Sequence, residues 1–461
     1  MKPPFDIAAD LDTPVSAYRK LKALNPRFLL ESVEGGERLA RYSFLGFGDS
    51  LDLRFDEKGL VVGDAFVPAP IRRDVYLASL RAAIKDAPVQ MPPFEGLPFS
   101  GGLVGVSGYD VVRLFEKLPQ KTIQQSGIPM AAYCATSSTL VFDHLTRRVA
   151  LFHSGSEAER RSLRKEVISL LRGGILTDSR TSSVVDPVPN MTAEDYADRV
   201  RACKEFIKAG DIYQIVISVL FEGVSQLSPF EVYRALRLLN PSPYMFFFDF
   251  DDVKIAGSSP EALVRLHGRE ASLRPIAGTA PRGATAKDDE KNEIDLLSDP
   301  KEISEHVMLV DLARNDLGRV AVPGSVRVDP YRIIERYSHI MHIVSGVQGK
   351  LDFAYDACDL FAATFPAGTL VGAPKVRAMQ IIEDMEVTGR GLYAGTAGYF
   401  GGSGDMDQAI TIRSIVFHGE NYSFQAGAGI VAESSPKREY QEVLAKSAIL
   451  KRALEIAGEG L

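Results

Sequence analysis

The sequence predicts an α+β fold. Strand patterns come in runs rather than in strict alternation with helices, so neighbouring strands pair as hairpins instead of βαβ units. Helical spacing of apolar residues is confined to segments between those runs. Hydrophobic content of 45% and charged content of 25% match a globular chain with ample core.

Residues 1–176 read as β-rich with a few helices. SLDLRFDEKGLVV (50–62) alternates Leu51, Leu53 and Phe55 with polar residues and turns at Glu57-Lys58-Gly59, a half-exposed hairpin. GGLVGVSGYD (101–110) is glycine-rich and apolar, the pattern of a buried, closely packed strand. TLVFDHLTRRVALF (139–152) repeats strand, turn and strand.

The polar, Ser- and Pro-rich TDSRTSSVVDPVPN (177–190) marks a boundary. It divides an N-terminal region, 1–176, from a region at 192–457, with 177–191 as linker. Thr192 and Asp195 then form a variant capping box, followed at helical spacing by Tyr196, Val200, Cys203 and Ile207 until Gly210 ends the helix. DIYQIVISVLF (211–221) is the next strand, and further helices are predicted around 230–239, 301–312, 371–384 and 437–457. GRGLYAGTAGYF (389–400), DQAITIRSIVF (407–417) and FQAGAGIV (424–431) read as successive strands.

Bulk properties exclude several function classes. A length of 461 residues accommodates roughly three average domains, or fewer large ones. The net charge is −7 and no long basic run occurs, which argues against nucleic acid or an anionic membrane as partner. No stretch approaches the ~18 apolar residues of a membrane span, and MKPPFDIAAD lacks an apolar leader core. Cys134, Cys203 and Cys358 are odd in number and far apart, which fits a reducing compartment and neither a disulfide framework nor a zinc site. A cytoplasmic location is predicted.

Polar chemistry concentrates in a few places. LRPIAGTAPRG (273–283) sets Arg274 and Arg282 around Gly278 and Thr279, with prolines stiffening both flanks. Glycine permits close approach to the backbone, and two arginines suit an anion. PKEISEHVMLVDLARNDLGRV (300–320) places Glu302 and Glu305 on one helix face, and SPKREYQEVLAKSAILKRAL (435–454) does the same with Glu439 and Glu442, Lys446 lying one turn on. Four carboxylates from two helices make an oxygen-rich site for a hydrated dication, most naturally Mg²⁺ with one direct glutamate ligand per helix. Arg413 lies in an otherwise apolar segment and must be paired or functional. The GAG triplet (427–429) offers backbone N–H groups as a carboxylate cradle. His342 and the nearby His339 are the proton-transfer candidates.

GDIYQIVIS, PIAGTAPRG, KEISEHVMLVDLARNDLGRV, HIMHIVSG, FPAGTLVGAPKVRAM, GLYAGTAGYF, IRSIVF, GAGIV and PKREYQEVLAKS occur in this order. The series strongly resembles the chorismate-utilising enzymes across roughly residues 192–457. FLLESVEGGERLARYSFLG (28–46) and LNPSPYMFFFDF (239–250) resemble the anthranilate synthase large subunits, which extends the likeness over nearly the whole chain.

The resemblance implies an α/β sandwich of two large antiparallel sheets flanked by helices, joined by strands of the N-terminal region. It implies amination of chorismate at C2 by ammonia, loss of the 4-hydroxyl and elimination of pyruvate, giving anthranilate for tryptophan biosynthesis. Glu305 and Glu442 would ligate Mg²⁺, supported by Glu302 and Glu439. Gly278, Thr279, Tyr393, Arg413 and the Gly427-Ala428-Gly429 backbone would hold substrate. His342, as general acid or base, and Thr369 would be catalytic, His342 serving hydroxide loss, pyruvate elimination or both. Glu31, Ser32, Pro243, Tyr244 and Met245 resemble a tryptophan pocket for feedback inhibition.

Relatives that attack C2 with water carry a lysine at the position of Gln214, and aminodeoxychorismate synthases carry one at Ala277 as a covalent nucleophile. Glutamine and alanine there favour free ammonia. A non-catalytic tryptophan- or chorismate-binding regulator is the rival from another class, and the full set of acid, metal and substrate positions argues against it. No cysteine sits in a glycine-rich nucleophile turn, so a separate glutamine amidotransferase subunit is expected to supply the ammonia.

Overall fold

The computed structural model describes residues 4–8, 10–32, 41–174, 184–336 and 340–461. His339 and residues 177–183 of the linker lie outside them. Among the described residues, strands link into one continuous 21-stranded network and a separate 3-stranded sheet. Long antiparallel ladders dominate the network, and helices flank it. This is the α+β architecture that the strand runs predict.

Strands on both sides of the linker pair with one another. Pro26–Glu31 lies against Tyr244–Phe250, and Gly102–Ser107 against Thr396–Gly401. The Leu51/Leu53/Phe55 alternation forms the hairpin of Tyr42–Asp56 with Gly59–Val62, and Ala131–Asp143 turns into Arg148–His153. All six residues of Gly102–Ser107 are buried, as an unbroken apolar run requires.

Local signals set the helix starts. Ala193–Lys208 opens on the Thr192/Asp195 capping box and buries Tyr196, Val200 and Cys203 on one face. Pro300–Gly318 starts with proline at its first position, while the Asp299 side chain accepts from the Lys301 and Glu302 N–H groups. It runs six residues past the predicted end at 312, because Ala313, Asp316 and Leu317 remain buried. Lys375–Met385 begins after the predicted 371, since Gly372–Ala373 pairs with Gln214 and Ile215 and Pro374 starts the helix. Pro229–Leu239 and Pro436–Glu459 match expectation.

Two differences matter for the site. Ala286–Ser298 is a helix that no apolar periodicity announced, with only Leu296 buried. Arg413 is not inside a strand: Met406–Ile410 and Ser414–His418 are separate, and Arg413 sits in the break between them at φ 50°.

Candidate active site

A cavity of about 910 Å³ is walled by the Gln214–Val224 and Asn421–Ile430 strands, the small sheet, and the starts of Pro300–Gly318 and Pro436–Glu459. Gln214, Ala277, Gly278, Thr279, His342 and Thr369 line it. So do Tyr393, Arg413, Gly427 and Gly429, together with Glu302, Glu305, Glu439 and Glu442. Ala428 is buried in the core, because strand alternation turns its side chain to the other face from its glycine neighbours. A more apolar cleft of about 1230 Å³ adjoins this cavity, sharing Gln214, Lys301, Glu305 and Val431, but it holds neither His342 nor Arg413.

The His342 side of the cavity is built on a β-bulge. Ile276–Pro281 pairs antiparallel with Ile340–Val344, and the register slips between Ala277 and Thr279 so that Thr279 faces His342. Gly278 absorbs the slip at φ 68°, where a Cβ would also stand 3.1 Å from Glu302 Oε2. His342 Nδ1 lies 3.0 Å from the Gly278 carbonyl oxygen and 3.0 Å from Thr279 Oγ1. A carbonyl only accepts, so Nδ1 carries the proton and Nε2 is the basic nitrogen. Burial, against the Gly278 hydrogen bond and with the Arg413 charge, holds the imidazole below its usual pKa and therefore neutral near pH 7.

Glu261 is a site residue that the sequence reading missed. It faces the cavity, accepts from Thr369 Oγ1 at 3.1 Å, and is pushed up to about 7 by desolvation, despite the Thr369 bond and the charges of Arg413 and Lys446. A carboxyl half-protonated near neutrality is equipped to give up a proton.

The cavity also carries two cations, Arg413 and Lys446. The Arg413 guanidinium forms no hydrogen bond or ion pair with the described residues, and burial lowers its pKa. Its backbone is fixed, because the Ser258 N–H reaches the Arg413 carbonyl at 3.1 Å. Such a group is poised for an anion from solution. Lys446 is already engaged, with Nζ 2.7 Å from Glu442 Oε1 and 3.0 Å from the Gly427 carbonyl. Gly429 makes room for Gln214, whose Nε2 would stand 2.8 Å from a Cβ there and donates to Glu305 Oε1 at 3.2 Å.

Behind Tyr393, Arg390 is almost fully enclosed. It pairs with Glu386 through Nε at 3.0 Å and Nη2 at 2.8 Å, and donates to the carbonyls of Leu370 and Val216. Glu386 also accepts from the N–H and hydroxyl of Ser218. Because the buried Arg390 would lose its only ion-pair partner among the described residues, keeping two carbonyls and the faces of Tyr109 and Tyr393, Glu386→Ala is expected to destabilise the fold by about 3–5 kcal/mol. Denaturant titration checks this, and a loss below about 1 kcal/mol would show that Arg390 finds other partners.

The four glutamates present only oxygen to the cavity. Glu302 is held above its ordinary pKa by burial, then by Glu305 and by Glu442 on the other helix; Glu439 is raised by burial and by Glu442. Among the described residues, no three acidic, His or Cys side chains are gathered tightly enough to enclose an ion. An all-oxygen donor set is of the kind that a hydrated dication takes, with one or two carboxylates and with water and ligand completing its shell.

Other sequence expectations meet different outcomes. Arg274 and Arg282 do not line the cavity: Arg274 pairs with Glu335, and Arg282 Nη2 lies 2.6 Å from Asp289 Oδ2. Glu31 and Met245 are cross-strand partners. Glu31 is buried, accepting from the Tyr233 hydroxyl at 2.5 Å and from Arg237 Nε at 3.0 Å. Ser32, half-buried, follows that strand, and the Tyr244 hydroxyl donates to Asp407 at 3.0 Å. Pro243 lines the cavity described above.

Residues 25–452 match the chorismate binding enzyme family. Anthranilate synthase component 1 of Aquifex aeolicus is 43% identical over 98% of this chain and 94% of its own length. That of Cereibacter sphaeroides is 42% identical over 98% and 94%. The crystal structure of anthranilate synthase component I from Streptococcus pneumoniae TIGR4 superimposes with a TM-score of 0.81 at 33% identity, covering 98% of this chain and 100% of that one. The chain belongs to the chorismate binding enzymes, in their anthranilate synthase component 1 group.

Proposed function

We propose that this chain converts chorismate and ammonia to anthranilate, pyruvate and water with the aid of Mg²⁺, as the large subunit of an anthranilate synthase in tryptophan biosynthesis. The observation that supports this best is one cavity holding a guanidinium without an ion-pair or hydrogen-bond partner among the described residues, four carboxylates, a neutral imidazole and a protonatable carboxyl, with Gln214 and Ala277 where an amine or base would redirect the attack.

Chorismate's enolpyruvyl carboxylate meets Arg413, with the Tyr393 hydroxyl and the Gly427 and Gly429 backbone beside it. Its ring lies toward Gly278 and Thr279. Magnesium held by Glu305 and Glu442, with Glu302 and Glu439 on its waters, would neutralise the ring carboxylate and favour the shift of double bonds. Ammonia bonds to C2 as the 4-hydroxyl departs, and Glu261 supplies the proton that makes it leave as water. Thr369 orients that carboxyl. In the second step Nε2 of His342 takes the C2 proton, the enolpyruvyl C–O bond breaks, and the enol released becomes pyruvate as the ring aromatises. A neutral imidazole whose Nδ1–H is fixed on Gly278 is in the state this step requires.

Ala277→Lys places an amine beside C2. It is expected to lower anthranilate formation at least about tenfold and to give a covalent chorismate-derived adduct visible by intact mass. Unchanged turnover with no adduct would show that position 277 does not face C2.

We further propose a separate glutaminase subunit as ammonia source, a cytoplasmic setting consistent with three free buried cysteines, and inhibition by tryptophan at the Glu31–Met245 junction. No helix is long and apolar enough to cross a membrane among the described residues. The Asn240 side-chain amide donates to Ser258 Oγ at 2.9 Å, and Ser258 in turn holds the Arg413 carbonyl, a route from the 240–245 segment to the substrate arginine.

A further inference from the structure

The small sheet that carries Gly278, Thr279 and His342 is separate from the large network. Its own core is slight: Leu296, Met341 and Ile343 are buried, with Ala280, Leu297 and Ile334 packed against them. Little apolar area therefore fixes this sheet against Pro300–Gly318, the helix bearing Glu302 and Glu305. A polar contact spans the junction instead.

His306, next to Glu305, is completely buried, and its Nε2 lies 2.7 Å from Oγ of Ser345, which is also completely buried. Ser345 follows the Ile340–Val344 strand. Its Oγ accepts from the Arg332 N–H at 2.9 Å, just before Ile333–Arg336. Its own N–H reaches the Pro275 carbonyl at 3.2 Å, just before Ile276–Pro281. One serine thus touches an end of all three strands, and one histidine ties that serine to the carboxylate helix. His306 Nδ1 has no partner among the described residues, so the imidazole is an expensive way to fill space that a leucine would fill with no orphaned atom.

We propose that the His306–Ser345 hydrogen bond is a positioning latch, setting how the sheet that carries His342 and Thr279 sits against the helix that carries Glu302 and Glu305. Its consequence for turnover rests on the functional reading given above; the latch itself does not. Neither residue lines the cavity, so both act through the groups they place.

Hydrogen exchange on the whole protein, without substrate or metal, tests the latch in His306→Leu, His306→Gln and Ser345→Ala. The glutamine amide nitrogen stands about where Nε2 does, so His306→Gln keeps the bond. In His306→Leu and in Ser345→Ala, amides of 276–281 and 340–344 are expected to exchange on the order of tenfold faster while the large network is unchanged. Turnover of chorismate should fall on the order of tenfold or more in kcat, with KM moving less than about threefold. His306→Gln should restore both readings, and the double variant should be no worse than the worse single one.

Unchanged exchange in the small sheet, faster exchange everywhere, or additive losses in the double variant would each overturn the latch. If His306→Leu fails to fold, Ser345→Ala decides alone. Absence of any anthranilate from the unmutated protein would sink the functional reading, and the exchange data would still decide the latch.

Discussion

Arg413→Ala is expected to lower kcat/KM for chorismate by about 10²–10³-fold, most of it through KM. The half-buried guanidinium faces the cavity with no ion pair or hydrogen bond from the described residues, so under the proposed function its interaction energy goes to the substrate carboxylate. Arg413→Lys should recover only part of the loss, because an ammonium cannot present the two parallel donors of a guanidinium. The same logic sets the sign for stability. Removing a half-buried cation that no described residue pairs should keep the melting temperature the same or raise it. Steady-state kinetics and thermal unfolding of the same preparations check both halves. A destabilised Arg413→Ala with unaltered KM would mean that the arginine serves the fold rather than the ligand.

Glu261→Gln is expected to cost about 10²–10⁴-fold in kcat, the range for loss of a positioned general acid. It should also change the pH profile. Glu261 must be protonated to act and is pushed up to about 7, so kcat/KM should fall as pH rises through about 7 when free NH₃ is held constant. His342 must be neutral to act and titrates below the usual histidine value, so the acid limb should lie below that value. The glutamine variant should lose the alkaline limb along with the rate and keep the acid limb. Retention of both limbs would remove Glu261 from the role of acid.

Much of the scaffold was legible because its signals are local. The capping box at Thr192 and Asp195, the hairpin alternation of Leu51, Leu53 and Phe55, and the i, i+3 spacing of the two glutamate pairs each need only a few neighbouring residues to be read. What escaped depends on long-range neighbours or on the backbone alone. The charge-rich helix Ala286–Ser298 buries one residue and so shows no apolar period, although its Thr285/Asp288 capping box stands in the sequence. The apolar segment of Ile410, Ile412 and Ile415 reads as one strand, yet Arg413 at φ 50° breaks it, and no side-chain pattern reports that angle.

The candidate site divides in the same way. Arg274 and Arg282 read as anion holders only while Glu335 and Asp289 are out of view; folding consumes both charges. Glu261 is one glutamate after Ser258-Ser259-Pro260, ordinary by composition. Its pKa is pushed up to about 7 by enclosure alone, against the hydrogen bond from Thr369, far along the chain. The glutamate helices, His342 and Gly278 were legible as candidates, but their convergence on one cavity is a property of the fold.

Product analysis on the purified chain tests the central claim most directly. With chorismate, Mg²⁺ and ¹⁵N-ammonium, anthranilate fluorescence should appear, with ¹⁵N in the product and one pyruvate formed per anthranilate. Formation of 4-amino-4-deoxychorismate or isochorismate in its place, or no consumption of chorismate at all, would contradict it.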